Sequence, residues 1–153
     1  MFAGVQDSGG SAEMFQCLHA AAARDSLCLL VGADALLTRA RCAGAPGSDG
    51  SFRPGAVSDA ACAIPELVMA LDRAITAGRQ DEIQKLDGLL EEFLEWEGQF
   101  PKPAVVKTAA GLRGLKTGPV SVPLSPVKAR RLDEFREWFK AWFPAVKKMS
   151  AHV

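Results

Sequence analysis

The 153-residue sequence has no tyrosine, only two histidines and no excess charge of either sign. Eighteen lysines and arginines balance eighteen aspartates and glutamates, so the composition does not predict binding to nucleic acid or to an anionic membrane. No apolar run approaches the ~18 residues of a membrane-spanning helix. No basic segment followed by an apolar one marks a secretory signal. What is there is the composition of one globular domain.

The cysteines form no recognisable metal or redox motif. None belongs to a C-x-x-C pair, and no histidine is placed at metal-ligand spacing from them, so we expect no metal and no cofactor. Three of them lie in apolar stretches, where a free thiol packs as a small hydrophobic group. We therefore expect buried structural thiols and a reducing, cytoplasmic compartment. The cysteines are Cys17, Cys28, Cys42 and Cys62.

Short apolar runs alternate with helical patterns in the first half of the chain. Residues 2–5, 27–31 and 55–58 are predicted strands, and each comes before a predicted helix. The run LCLLV at residues 27–31 is apolar on both faces, which favours a buried parallel strand. The alternation predicts an α/β fold with a parallel sheet and right-handed crossovers. Three strands are too few to close a barrel, and their open edges favour association.

The second half of the chain contains only predicted helices. The final helix begins at Ser125 and Pro126 and is expected to end at Pro144. Its aromatic stripe, which includes Trp138 and Trp142, is typical of a core or packing face and not of a cofactor-binding motif. The predicted helices span residues 11–23, 34–42, 65–77, 81–96, 105–113 and 125–144.

Five segments, taken in order, carry a resemblance to a known family. They are GVQDSGG, LLVGADALLTRARCAG, GAVSDAACAIPELVMAL, FPKPAVVKTAAGLRGL and GPVSVPLSP. Together they resemble the C-terminal half of the dihydrodipicolinate synthase and N-acetylneuraminate lyase family, over residues 2–144. The resemblance implies a partial (β/α)8 TIM barrel (strands six to eight) in residues 1–78 and a C-terminal helical extension in residues 79–153. A complete barrel takes about 250 residues.

The resemblance also implies a chemistry. In this family a lysine on strand six forms a Schiff base with a 2-keto acid, commonly pyruvate, and the iminium draws electrons during carbon–carbon cleavage. The family pattern G-x-K-D-S falls on Gly4 to Ser8, which places Gln6 at the lysine position. An amide nitrogen is delocalised into its carbonyl and cannot form an imine. The family's strand-five tyrosine and its carboxylate-binding residues on strands one and two have no counterpart here. The resemblance therefore implies a truncated lyase or aldolase that is inactive alone.

Six further positions fall where family members contact the substrate. Four of them have a named structural alternative: Ser8 makes the turn with the glycines after it, Asp34 caps its own helix, and Ser58 and Asp59 cap a helix start. The implied substrate-binding positions are Ser8, Gly32, Asp34, Val57, Ser58 and Asp59.

Two other features bear on the site. The segment at residues 45–54, rich in glycine, proline and serine, is predicted to be a loop inserted where the family has a short turn, away from the strand ends that hold the chemistry. The mid-chain lysines Lys102, Lys107 and Lys116 do not follow predicted strands. None of these lysines therefore falls at a strand end.

Three hypotheses stay open on the sequence alone. The chain is a 2-keto acid lyase that needs the other half of the barrel to act. Alternatively, it is a non-catalytic homologue, an interaction or regulatory subunit that assembles with itself or with family members. In the third case, it is a decayed gene fragment with no stable fold. The glutamine at the lysine position favours the second and third hypotheses.

Overall fold

A three-stranded sheet and six α-helices make up the fold in a computed structural model that describes residues 3–43 and 53–151. Short 3₁₀ turns at Asp34–Leu36 and Ala60–Cys62 follow the second and third strands. The strands are β1 (Gly4–Asp7), β2 (Cys28–Val31) and β3 (Gly55–Ala56); the helices are α1 (Ala12–Asp25), α2 (Leu37–Cys42), α3 (Pro65–Thr76), α4 (Gln80–Glu97), α5 (Ala104–Leu112) and α6 (Pro126–Ser150).

The sheet is parallel, in the order β1-β2-β3. Gln6 lies opposite Leu30, and Val31 lies opposite Asp7 on one side and Ala56 on the other. Successive side chains of a strand point to opposite faces, so Val31 packs beneath the helices while Gln6 and Leu30 share the other face. The predicted parallel α/β arrangement is confirmed.

Two serines start the helices that the sequence assigned to them. The Ser11 hydroxyl accepts a hydrogen bond from the Met14 N–H at 3.2 Å at the start of α1. Ser125 accepts one from the Lys128 N–H at 3.3 Å at the start of α6. These bonds satisfy N–H groups that have no partner within the helix, so the predicted starts of both helices are confirmed.

The prediction that the last helix ends at Pro144 is wrong. α6 continues to Ser150 with Pro144 inside it. An internal proline costs a helix about 3 kcal/mol because it lacks an N–H and crowds the preceding turn. Val146 and Ser150 beyond it are buried, so packing of the last turns outweighs that cost.

Two clusters of buried side chains hold the fold together. The larger cluster joins α3, α4, α5 and α6 around Phe93, which contacts Phe135 and Phe139 edge-on at 6.3 Å. The predicted packing role of the aromatic stripe is thereby confirmed for these side chains. The smaller cluster lies between the sheet and its first helices and contains Phe15, Ala22, Leu29, Val31, Leu36 and Ala40.

Polar contacts link the two clusters. The Arg41 guanidinium lies 2.5 Å from the Asp72 carboxylate, which ties α2 to α3. The Thr38 hydroxyl donates to the Asp87 carboxylate at 2.5 Å, which ties α2 to α4. Residues 45–52 of the insertion predicted at residues 45–54 lie outside the described residues. Of the described helices, none combines the length and hydropathy that crossing a membrane requires.

The expectation of buried thiols is wrong for three of the four cysteines. Cys17, Cys28 and Cys62 are exposed, and Cys42 is half-buried; all four are free thiols. Cys28 shows the cause, because it belongs to an apolar strand but alternates onto the face shared by Gln6. No described element covers that face.

Candidate functional site

The carboxyl ends of all three strands meet at one edge of the sheet. The Gly32 N–H donates to the Asp7 carbonyl at 2.7 Å, and the Val57 N–H donates to the Val31 carbonyl at 2.8 Å. These bonds hold the segments that leave β1, β2 and β3 in register. The sequence-predicted site residues all lie on these segments, since parallel strands place their carboxyl ends together.

Gln6, Ser8 and Gly32 form a polar group at this edge. The Gln6 amide nitrogen lies 3.4 Å from the Ser8 hydroxyl. A Cβ atom at Gly32 would lie 2.3 Å from the Ser8 oxygen and 2.9 Å from the Gln6 nitrogen, so a side chain at this position would displace both groups. Gln6 and Ser8 are exposed. Their amide and hydroxyl groups can bind a carbonyl or carboxylate, but neither is an amine nucleophile.

A different side chain secures the turn after β1. The Asp7 carboxylate accepts a hydrogen bond from the Gly9 N–H at 3.0 Å, as in an Asx turn. The Ser8 hydroxyl is directed instead to Gln6. Asp7, and not Ser8, therefore makes the side-chain hydrogen bond that stabilises the turn.

Asp34 links the loop after β2 to the loop after β3. It is only 8% exposed, and its Oδ2 accepts a hydrogen bond from the Ala60 N–H at 2.9 Å. The turn that begins at Asp34 has Ala33 as its N-cap and no side-chain capping bond. Asp34 thus stabilises the start of the following 3₁₀ turn and does not cap its own helix.

The residues after β3 have distinct partners. The Ser58 hydroxyl accepts a hydrogen bond from the Ala61 N–H at 3.0 Å, so it caps the turn that follows. The Asp59 carboxylate instead pairs with the Lys102 ammonium at 3.3 Å. Val57 exposes 46% of its surface at the same edge. The capping alternative therefore describes Ser58 and not Asp59.

Lys102 is the residue that the sequence reasoning missed. It lies between α4 and α5, yet its ammonium reaches Asp59 and lies 3.4 Å from Glu97 Oε1. Burial disfavours the charged ammonium, but attraction to Glu97 and the hydrogen bond to Asp59 prevail and raise the pKa of Lys102. Lys102 follows a helix and not a strand, but its side chain brings an amine to the loop after β3. The amine that is there keeps its proton and is a poor nucleophile at neutral pH.

Glu97 is the buried member of this group. Its side chain is 8% exposed, and burial raises its pKa, opposed by Lys102 and reinforced by Asp34 and Asp59. Asp34, Glu97 and Lys102 line one cleft of about 260 Å³. Within the described ranges, no group of three or more His, Cys, Asp or Glu side chains is arranged to hold a metal ion. The cleft presents mixed charges next to the strand ends.

The sequence matches the model of the dihydrodipicolinate synthetase family over residues 2–142. This chain belongs to that family. The match covers the sheet, the strand ends and nearly all of the helical region, so the resemblance drawn from the five segments is confirmed.

Curated relatives of this dihydrodipicolinate synthetase family member are lyases by name. An uncharacterized DapA-like lyase of Halobacterium salinarum is 35% identical over 122 residues, which are 80% of this chain and 37% of the relative. A second strain of that organism has a protein of the same description with the same identity and coverage. The chain thus spans little more than a third of these relatives.

Solved structures of similar fold are about twice as long as the family member described here. A variant of Sulfolobus solfataricus 2-keto-3-deoxygluconate aldolase has a TM-score of 0.71 and 21% identity, over 95% of this chain and 48% of its own. KD(P)GA from T. tenax has a TM-score of 0.65 and 24% identity, over 99% of this chain and 48% of its own. These likenesses establish a shared fold.

Proposed function

We propose that this chain supplies strands six to eight and the C-terminal helices of a (β/α)8 lyase or aldolase for 2-keto acids. Residues 1–78 would form the barrel part and residues 79–153 the helical extension. The family match supports this assignment, as does the likeness to half of the length of a 2-keto-3-deoxygluconate aldolase. In such barrels the reacting groups lie at the carboxyl ends of the strands, where Gln6, Ser8 and Asp59 lie here.

The observation that carries the proposal is the position of Gln6. Its side chain lies on the sheet face opposite the helices, at the end of β1, next to Ser8 and over Gly32. We assign it to the place of the family's Schiff-base lysine. A neutral amide can hold a 2-keto acid by hydrogen bonds, but it cannot form the iminium that the cleavage needs. The proposed role of this edge in the isolated chain is therefore binding without turnover.

A non-catalytic subunit is the second candidate, and Lys102 favours it. Among the described lysines, Lys102 is the one with an ammonium hydrogen-bonded to a residue at the strand ends. Its raised pKa keeps that nitrogen protonated, so it does not replace the missing nucleophile. Under this candidate the chain binds other proteins and carries out no chemistry of its own.

Trapping with borohydride tests the proposal. Borohydride reduces an imine between pyruvate and a lysine to a stable secondary amine, which mass spectrometry detects. We expect no adduct on this chain, whereas Sulfolobus solfataricus 2-keto-3-deoxygluconate aldolase should be modified in parallel. An adduct that maps to Lys102 and disappears in Lys102→Met would contradict the proposal.

A variant extends the test to turnover. We expect Gln6→Lys to show no pyruvate release from 2-keto-3-deoxygluconate in an assay coupled to lactate dehydrogenase, because the sequence contains no tyrosine to serve as the family's proton relay. Gln16→Lys on the exposed side of α1 is the matched control. Release above this control would show that one lysine suffices.

A further inference from the structure

Helix α6 has a second apolar face that its own chain buries only in part, since Trp138 and Trp142 pack against the edge of the core. Leu132, Phe135, Phe139 and Val146 lie on the buried face and pack in the core. A separate set recurs at the i, i+3, i+4, i+7 spacing of one helix face: Trp138, Ala141, Trp142 and Ala145. The two alanines are exposed and the two tryptophans are half-buried. We call this set the Trp138–Ala145 face.

The two tryptophans of this face pack against other rings, and the Trp142 N–H already has an acceptor. The Trp138 and Trp142 rings stack with centroids 4.6 Å apart, and Trp96 of α4 lies 5.7 Å from Trp138. The Trp142 indole N–H donates to the Glu92 carboxylate at 2.7 Å. A partner would therefore meet fixed apolar ring surface without having to pair that N–H. Fixed tryptophans at the centre of a patch are typical of binding hot spots.

Charges at the two ends of the face complement each other. Glu134 lies seven residues before Ala141 and Lys148 lies seven residues after it, and both are exposed; Glu134 also pairs with Arg131 on its own helix. Steps of seven residues stay on nearly the same side of a helix. If two copies of α6 cross antiparallel at Ala141, each Glu134 approaches the Lys148 of the other copy. The small Ala141 side chain at the crossing allows the two backbones to come close.

We propose that the Trp138–Ala145 face binds a second copy of this chain, through antiparallel α6 helices related by a twofold axis at Ala141. The charge pattern favours a second copy as the partner. Glu134 and Lys148 are equally spaced about Ala141, so the twofold rotation places the acidic residue of one copy opposite the basic residue of the other. A twofold contact uses the same patch on both copies, so each ion pair occurs twice. This inference does not depend on the keto-acid proposal.

A bulky charge at the centre tests the contact. Sedimentation equilibrium should show a concentration-dependent dimer for the chain, and Ala141→Arg should weaken dimerisation at least ~30-fold, the scale of losing a hot-spot contact. Ala129→Arg is the matched control, since it makes the same change at another exposed position of α6 and should leave the dimer intact. A chain that is monomeric throughout, or a dimer insensitive to Ala141→Arg, would overturn the proposal.

Charge reversal tests the antiparallel geometry independently. Glu134→Lys and Lys148→Glu should each weaken the dimer roughly 3- to 10-fold, because each loses two exposed ion pairs and creates like-charge contacts. The double variant should return to within about 2-fold of the parent, since the pairs re-form with their signs exchanged. Additive weakening in the double variant would contradict this geometry.

Fluorescence separates this face from the sheet as the contact surface. All three tryptophans of the chain, Trp96, Trp138 and Trp142, belong to or adjoin the face, and the chain has no tyrosine. Dimerisation through α6 should therefore shift the tryptophan emission to shorter wavelength and reduce acrylamide quenching as concentration rises. Association with unchanged emission would place the contact elsewhere, for example at the open sheet, and would also overturn the proposal.

Discussion

Asp34 shows how a residue chosen for its place in a motif can have a structural role of its own. Its buried carboxylate joins the loops after β2 and β3 through the Ala60 N–H. Sequence spacing placed Asp34 at the carboxyl edge of the sheet, but it could not reveal a partner 26 residues away. Stability measurements on a variant can isolate this structural contribution from any contact with a ligand.

We expect Asp34→Ala to destabilise the chain by about 1–3 kcal/mol, because it leaves a buried N–H without its acceptor. Asp59→Ala removes a half-exposed carboxylate and should cost less than about 1 kcal/mol. Urea unfolding monitored by circular dichroism measures both free energies. Equal losses in the two variants would argue against a structural role for Asp34.

Glu97 makes the stability of the chain depend on pH in an uncommon direction. Burial raises its pKa above that of an unfolded glutamate, so the folded chain binds more protons in the window between the two values. The contribution of Glu97 to the free energy of unfolding is therefore highest below the ordinary glutamate pKa. It decreases as the pH rises through the pKa that Glu97 has in the folded state. Most paired carboxylates have the opposite effect.

The substitution Glu97→Gln removes this titration while preserving size. We expect the variant to melt within error of the parent near pH 4, where Glu97 is protonated, and a few degrees higher near pH 8. Differential scanning calorimetry across this range measures the difference, with the exposed Glu95→Gln as control. A variant less stable than the parent at pH 8 would mean that the Lys102 pair outweighs the cost of burying the charge.

At the scale of secondary-structure elements, local chemistry predicts where a helix starts better than where it ends. Ser11 and Ser125 supply caps that depend only on the next three residues, so both helix starts could be read from the sequence. The end of α6 depends on Val146 and Ser150 finding a place in the core, which Pro144 alone does not reveal. The exposure of Cys28 and the reach of Lys102 likewise depend on elements distant in sequence.

Pro144 provides a direct measurement of that balance. We expect Pro144→Ala to stabilise the chain by roughly 1–3 kcal/mol, since α6 is helical on both sides and alanine restores the missing N–H donor. Pro119→Ala in the connector before α6 is the control and should change stability little. Denaturant unfolding compares the two variants. A loss of stability in Pro144→Ala would indicate that the proline ring packs favourably in the cleft that it lines with Leu112 and Arg113.

At the scale of the molecule, the two buried clusters differ in size and in how completely they bury the elements that they join. The helical cluster around Phe93 unites four helices, whereas the sheet cluster contains six buried side chains and protects one face of the strands. The opposite face, with Gln6, Cys28 and Leu30, lines only a shallow open depression. Fewer buried contacts predict a lower free energy for local opening.

Native-state hydrogen exchange should therefore resolve two levels of protection. We expect amides of β1, α1 and β2 to exchange through openings of lower free energy than those of α3, α4 and α6, which should approach the global value. Phe93→Ala should lower protection in both regions, because α2 packs beside β3 and is joined to α3 and α4 through Arg41 and Thr38. Leu29→Ala should lower it mainly in the sheet. Uniform protection would instead mean that these polar links make the sheet and the helices one cooperative unit.

The same measurement can locate a partner on the uncovered sheet face. If a barrel half from a longer family member binds there, the sheet amides should gain protection while those of α4 and α6 stay unchanged. That pattern would place the contact at the edge and face where Gln6 lies.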